Sequence, residues 1–201
     1  GYAHRKRLVI HWPHTPEGKS ATEGFPLDEL SHSEKQNRAQ RLWDVRMYPE
    51  AYAAYDQLRT RQESKDEANL MMGRLLSERM RDRYPEAIVH FASCSTASDR
   101  DVAGTCLYKK GIALGKVHKY PEAIETLRQF GKKYPGNRNA VEAGFEVGRH
   151  LMESGAFDEA MNHLESWVEN EKKLKDKNKY RWFAAWAAYR GGLYKDAIRL
   201  M

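Results

Sequence analysis

The sequence lacks the features of a membrane-spanning protein and of the common enzyme classes. Its longest uninterrupted apolar run covers only residues 182–189, well short of the roughly 20 residues that a transmembrane helix needs. It contains no HExxH, glycine-rich phosphate loop, nucleophile elbow or CxxC motif. We therefore expect no membrane span, no catalytic residue and no cofactor within this chain.

Secretory and metal-binding signals are missing as well. The opening GYAHRKRLVIHWP is basic but carries only the short apolar stretch 8–10, so no signal peptide is visible. Of the eight histidines, His11 and His14 flank Pro13, which prevents a regular helical pair, and no cysteine or carboxylate cluster accompanies them. We expect no metal site, and we expect both ends to be cuts through a longer protein.

The composition is that of a soluble folded chain. Apolar residues make up 41% and charged residues 31%, with 11 tyrosines and five tryptophans, which is too aromatic for disorder. The net charge is +6, and much of this excess lies in residues 172–181, KKLKDKNKYR. Without groove-reading motifs this segment favours a solvated loop between helices over a nucleic-acid surface, so no nucleic-acid partner is expected.

A four-residue motif, YPEA, occurs three times, at residues 48–51, 84–87 and 120–123, and weaker copies begin at Phe157 and Tyr194. The spacing of 36 to 37 residues is typical of repeat architectures. We predict about five repeats over residues 32–201, the last one truncated. A partial preceding helical unit and a linker are predicted over residues 1–31.

Each copy carries the pattern of a helical hairpin. The residue three positions after the aromatic is alanine in every copy, and the residues four and seven positions after it are apolar. Together with the aromatic residue these positions form one face of a helix. The proline of YPEA suits the first turn of that helix. Nine residues before the aromatic the side chain is small in four copies of five, which indicates close packing against a preceding helix. These residues are Ala39, Leu75, Gly111, Gly148 and Ala185.

This pattern resembles the tetratricopeptide repeat, which has a small residue in its first helix, an aromatic followed by alanine in its second, and a proline after it, here Pro135. The resemblance implies an all-α fold. We therefore predict a tetratricopeptide-like α-solenoid, a superhelix of antiparallel helix hairpins.

The closing stretch NKYRWFAAWAAYRGGLYKDAIRLM is similar to the last units of the superhelical N-terminal region of soluble lytic murein transglycosylases, and RKRLVIHWPHTPEG resembles another of its units. The resemblance implies a non-catalytic periplasmic scaffold. It also implies a separate C-terminal lysozyme-like domain, absent from this chain, that cleaves the peptidoglycan glycan strand. The matching residues are Arg181, Ala185, Trp186, Tyr189, Arg190, Gly192, Tyr194 and Ala197.

The alternative is a tetratricopeptide adaptor that binds a partner protein or peptide. The carboxylate clamp of chaperone adaptors is missing at the corresponding positions, which hold aromatic residues instead. These could stack on sugar rings or on a partner, although tandem aromatic residues in helices are more often core. The candidate residues of a concave binding face are Tyr108, Phe145, Arg149, Trp182, Trp186 and Tyr189.

The two cysteines, Cys94 and Cys106, lie in adjacent repeats. Packing of those repeats could bring the pair within disulfide range, and a disulfide would indicate an oxidising compartment. Two reduced core cysteines explain the pattern equally well.

Overall fold

The computed structural model describes residues 1–80, 83–170 and 177–201, and all regular structure within them is helical. The prediction of an all-α fold is confirmed. The chain divides into two compact units, Gly1–Ala97 and Ser98–Met201. None of the described helices is long and apolar enough to cross a membrane.

The first unit begins with two short helices, followed by a 3₁₀ turn at Leu27–Glu29 and four further helices. The N-terminal helices share a small core made by Val9, Ile10 and Phe25. The next helix starts with a capping box, in which Ser31 and Glu34 each bond to the other's backbone N–H. The helices are α1 (Tyr2–His11), α2 (Pro16–Thr22), α3 (His32–Asp44), α4 (Tyr48–Arg59), α5 (Lys65–Arg74) and α6 (Tyr84–Cys94).

The second unit contains three consecutive helical hairpins. Each hairpin pairs a first helix of the repeat with the helix that begins at its aromatic residue, and successive hairpins pack side by side. The helices are α7 (Arg100–Lys116), α8 (Tyr120–Lys133), α9 (Ala140–Glu153), α10 (Phe157–Asn170), α11 (Lys177–Arg190) and α12 (Tyr194–Leu200). Repeat three is α7 and α8, repeat four is α9 and α10, and repeat five is α11 and α12.

The YPEA motif is a helix start, as predicted. Helices α4, α6 and α8 begin at its tyrosine, with the proline in the first turn, where a missing N–H costs little. The glutamate lies near the positive end of the helix dipole. The alanine of each motif is fully buried, so the motif serves packing and helix initiation.

The residue two positions before the aromatic takes the left-handed conformation wherever it is described. Gly155 and Gly192 have φ values of 84° and 77°, and Arg46 and His118 have φ values of 63° and 61°. A left-handed residue ends the first helix of the hairpin and satisfies its last carbonyl groups. The sequence predicts this role for the two glycines, but it gives no such signal for Arg46 and His118.

The small residues nine positions before the aromatic lie where the two helices of a hairpin approach most closely. A Cβ atom on Gly111 would lie 2.6 Å from Cγ of Leu127, and one on Gly148 would lie 2.6 Å from Cγ of Leu164. Both leucines are the apolar residue seven positions after the aromatic. The predicted hairpin packing is confirmed.

Repeat two, α5 and α6, departs from this rule because Leu75 occupies the small position. The helix widens there into a π-helical segment, Leu75–Arg79. The close approach moves to Gly73, whose Cβ would lie 2.6 Å from the ring of Phe91. A bulky residue at the packing position therefore coincides with a local change of helix type.

The cationic segment 172–181, predicted to be a loop, is helical from Lys177 onward, so that part of the prediction is wrong. Residues 172–176 lie outside the described residues. Tyr180 is buried, and its hydroxyl donates a hydrogen bond to the carbonyl oxygen of Val141 at 3.0 Å. This anchor explains why α11 starts earlier than the polar sequence suggests.

Candidate functional site

Three aromatic side chains on α11 form a stacked row, which we call the aromatic stripe: Trp182, Trp186 and Tyr189. Their spacing places them on one face of the helix. The two indole centroids are 5.9 Å apart with the rings 10° from parallel, and Trp186 and Tyr189 are 5.6 Å apart at 20°. The three rings therefore form one continuous stacked row.

The aromatic stripe is exposed. Trp182 and Tyr189 each expose 55% of their surface and Trp186 exposes 41%, although large aromatic side chains are usually well buried. The buried residues of α11 are Tyr180 and four alanines, so the stripe residues lie outside the packed face of this helix. An exposed row of large apolar groups is a feature of binding surfaces.

Cations border the aromatic stripe. Lys179 lies three residues before Trp182 and Arg190 lies four residues after Trp186, which places both next to the stripe on the helix surface. The Lys179 Nζ lies 3.7 Å from the Phe145 ring centroid, and the Arg190 guanidinium lies 4.8 Å from that of Phe157. No aspartate or glutamate occurs in α11. The rim of the surface is thus positively charged.

The other predicted binding residues are engaged in packing. Tyr108 is half-buried with its ring 5.4 Å from that of Phe130, and burial raises its pKa to about 12. Phe145 is buried against Phe183, and Arg149 pairs with Glu146 at 3.3 Å. Phe145 is therefore a core residue, which is the alternative that the sequence left open for these aromatic residues. The three residues of the aromatic stripe are exposed instead. That these residues share a concave face stays a prediction.

The first unit contains a polar cleft that we did not predict from the sequence. It has a volume of about 440 Å³ and lies among α3, α4 and α5, with amide side chains on one wall and Tyr55 and Glu67 on the other. The Tyr55 hydroxyl donates to Oε1 of Gln40 at 3.2 Å. Amides can both donate to and accept from a polypeptide backbone. The sequence carried a signal for this cleft, because Gln36 and Gln40 precede Tyr48 by the same numbers of residues as Trp182 and Trp186 precede Tyr194.

Comparisons with known proteins agree with this geometry. The family model described as tetratricopeptide repeat matches residues 105–137, which span most of α7 and all of α8. This chain has a tetratricopeptide-like helical-repeat fold. No curated protein matches its sequence.

Solved structures that share this tetratricopeptide-like fold include YrrB, the MamA protein and PilW. YrrB, a TPR protein with an unusual peptide-binding site, is 22% identical, with 85% of this chain and 82% of that one covered and a TM-score of 0.66. The MamA protein is 15% identical, with 84% and 87% covered and a TM-score of 0.69. PilW, a type IV pilus biogenesis factor, is 16% identical, with 99% and 90% covered and a TM-score of 0.60.

A hydrogen-bonded network crosses three helices of the tetratricopeptide-like first unit. The imidazole of His90 bonds to the Tyr52 hydroxyl at 3.1 Å through Nε2 and to Oδ1 of Asn69 at 2.9 Å through Nδ1. Burial lowers the pKa of His90, which favours the neutral ring. The network fixes α4, α5 and α6 relative to one another, and its residues are too far apart in sequence to be grouped from spacing.

Cys94 ends α6 and Cys106 lies in α7, and both side chains are fully buried. The disulfide between them stays a prediction. Titration of the unreduced, denatured tetratricopeptide-like chain with a thiol reagent is expected to detect no free thiol, because an oxidised pair does not react. Prior reduction should release both thiols. Two reactive thiols per chain without reduction would reject the disulfide.

Proposed function

We propose that this chain is a protein-interaction domain and that the aromatic stripe contacts its ligand. The observation that carries the proposal is the exposed, stacked row of Trp182, Trp186 and Tyr189 with cations along its rim. Tryptophan, tyrosine and arginine are enriched among the residues that dominate binding energy at interfaces. The description of YrrB as a peptide-binding TPR protein supports the same class of ligand.

The proposal predicts that loss of the two indoles removes binding while the fold persists. Peptides selected from a random library against the wild-type chain should bind the Trp182→Ala, Trp186→Ala double variant at least about 30-fold more weakly, the effect of losing about 2 kcal/mol. Calorimetric titration measures the change. Because both residues are exposed, the melting temperature should barely change.

Trp12→Ala is the matched control for that experiment. Trp12 is also exposed, at 40%, but it belongs to α1's C-terminal cap and not to the aromatic stripe. It should leave the affinity unchanged. Selected peptides that bind the double variant as tightly as the wild type would contradict the assignment of the aromatic stripe.

A second candidate function is the periplasmic scaffold of a lytic transglycosylase. It is supported by the resemblance of the closing stretch to that family, and by the exposed aromatic side chains of the aromatic stripe, which could contact sugar rings. In this case the ligand is a peptidoglycan glycan strand. Glycan cleavage belongs to a C-terminal lysozyme-like domain of the same protein.

The scaffold candidate makes its own prediction. The wild-type chain should co-sediment with purified peptidoglycan, and the Trp182→Ala, Trp186→Ala variant should stay in the supernatant, because stacking is the proposed contact. The Trp12→Ala variant should sediment like the wild type. A chain that remains soluble in the presence of peptidoglycan would exclude the glycan ligand and leave the protein ligand.

A further inference from the structure

The polar cleft among α3, α4 and α5 is lined mostly by hydrogen-bonding side chains. Its volume of about 440 Å³ is within the range of sites that bind small ligands. Leu58 and Ala68 supply its apolar lining. The other lining residues are polar, and they are Gln36, Asn37, Gln40, Tyr55, Ser64 and Glu67. The cleft is therefore suited to a polar ligand.

The buried polar residues of the cleft offer acceptors to a ligand, because their donor groups are already used. The Tyr55 hydroxyl donates to Oε1 of Gln40 at 3.2 Å, and Nε2 of Gln40 donates to Oδ1 of Asp44 at 2.8 Å. Ser64 Oγ donates to the carbonyl oxygen of Leu58 at 2.7 Å. Tyr55 and Ser64 are 5% and 2% exposed. Each hydroxyl oxygen keeps a lone pair that can still accept a hydrogen bond.

The formal charge of the cleft is negative. Among the described residues that line it, Glu67 alone is charged, and its carboxylate makes no hydrogen bond or ion pair within the part of the chain that the structure describes. Burial raises the pKa of Tyr55, and the negative charges of Glu67 and Asp44 act in the same direction. The tyrosine therefore stays neutral, and an anionic ligand would meet an uncompensated carboxylate.

The cations around the cleft do not cancel this charge. The Arg74 guanidinium lies over the Trp43 ring, 5.1 Å from its centroid, and pairs with Glu78 at 3.5 Å. Lys65, at the start of α5, is exposed and does not line the cleft. The C-terminal end of α4 and the N-terminal end of α5 carry partial charges of opposite sign. The carboxylate of Glu67 therefore decides which charge the cleft attracts.

We infer that the polar cleft binds a primary ammonium group, with the carboxylate of Glu67 as its counter-ion. An ammonium group has three donors and no acceptor, which matches a cleft that offers mainly acceptors. The amides of Gln36 and Asn37 make no hydrogen bond within the described residues, and each can turn its carbonyl oxygen toward the ligand. The ammonium group belongs either to a lysine side chain of another polypeptide or to a free small amine. This site uses no residue of the aromatic stripe and goes beyond the proposed function.

The test compares three probes that differ in charge and in size. The first is an N-acetylated Gly-Lys-Gly tripeptide amide, the second is the same peptide with its lysine side chain acetylated, and the third is pentylamine. Each is titrated into the full chain labelled with nitrogen-15, and the shifts of the side-chain amide signals give the affinity. The net charge of the chain is +6, so the chain as a whole does not attract these cations.

Glu67→Gln removes the negative charge and keeps the shape of the side chain. It should weaken binding of the lysine peptide at least about tenfold, because a hydrogen bond to a charged group is lost. Glu125→Gln is the matched control, since Glu125 is an exposed carboxylate on α8 that does not line the cleft; it should bind like the wild type. Gln36→Met, which removes one amide at a similar length, should weaken binding about threefold.

The probes also identify the source of the ammonium group. Saturable binding of the lysine peptide without pentylamine would assign the cleft to a lysine side chain, and binding of both would show that a free amine is sufficient. No saturable binding of either would overturn the inference. Equal binding of the acetylated-lysine peptide, or of the lysine peptide to Glu67→Gln, would also overturn it. The Trp182→Ala, Trp186→Ala variant should bind the lysine peptide like the wild type, so the cleft and the aromatic stripe are tested independently.

Discussion

Replacement of Gly148 by alanine is expected to lower the free energy of unfolding by up to about 2 kcal/mol. The added Cβ atom would lie 2.5 Å from Cδ2 and 2.6 Å from Cγ of Leu164, closer than carbon atoms can approach. Leu164 is completely buried and cannot move aside without disturbing its neighbours. Overpacking of this kind costs about 1–3 kcal/mol, which exceeds the gain of about 1 kcal/mol in helix propensity when alanine replaces glycine.

Gly131→Ala is the matched control, because the same chemical change there is expected to have the opposite sign. Gly131 lies within α8, and a Cβ atom on it would meet no atom within 4 Å. Only the higher helix propensity of alanine acts at this position, so Gly131→Ala should be about 0.5–1 kcal/mol more stable than the wild type. Urea unfolding monitored by circular dichroism measures both changes. Equal shifts in the same direction would refute the packing assigned to Gly148.

The hairpin architecture could be predicted from the sequence because its determinants recur at fixed offsets. The buried alanine of YPEA, the proline in the first turn and the small residue opposite a leucine each follow from local sterics. Because these features recur in several copies, a single sequence was sufficient to recognise them. Gly111 and Gly148 were assigned to the helix interface on this basis, and the structure places them there.

Features that differ between repeats could not be predicted in the same way. The π-helical segment at Leu75 depends on how the helix relaxes around a bulky residue, which no offset encodes. The exposure of Trp182 depends on whether another element covers it, and an aromatic residue at a helical spacing is equally compatible with a core. The candidate site is therefore the part of the molecule where the repeat pattern gave least guidance.

His150 illustrates a further property that only the packed structure defines. Its side chain is 3% exposed, and neither ring nitrogen has a hydrogen-bond partner. The imidazole lies against Gly115 and Tyr120, and Nε2 is 3.7 Å from a carboxylate oxygen of Glu146. Burial lowers the pKa of His150 to about 4, with the positive charges of Arg149 and Lys116 acting in the same direction.

This lowered pKa makes the stability of the second unit depend on pH. The folded pKa lies below the ordinary value of 6.5, so between about pH 6.5 and pH 4 the unfolded chain binds a proton that the folded chain excludes. The free energy of unfolding is therefore unaffected by this group above pH 6.5, and it decreases as the pH falls toward 4. Burial raises the pKa of Glu146, which opposes part of this loss. The expected net effect of His150 is about 2–3 kcal/mol.

His150→Leu is therefore expected to flatten the acid side of the stability profile. Leucine fills the apolar site without a titrating group or an unpaired polar atom, so the variant should be at least as stable as the wild type at pH 7.5. At pH 4.5 it should be more stable by about 2–3 kcal/mol. Urea unfolding at both pH values measures the difference, and His14→Gln, at an exposed position, controls for the loss of a histidine. Parallel pH profiles for the wild type and His150→Leu would show that the buried imidazole does not govern acid stability.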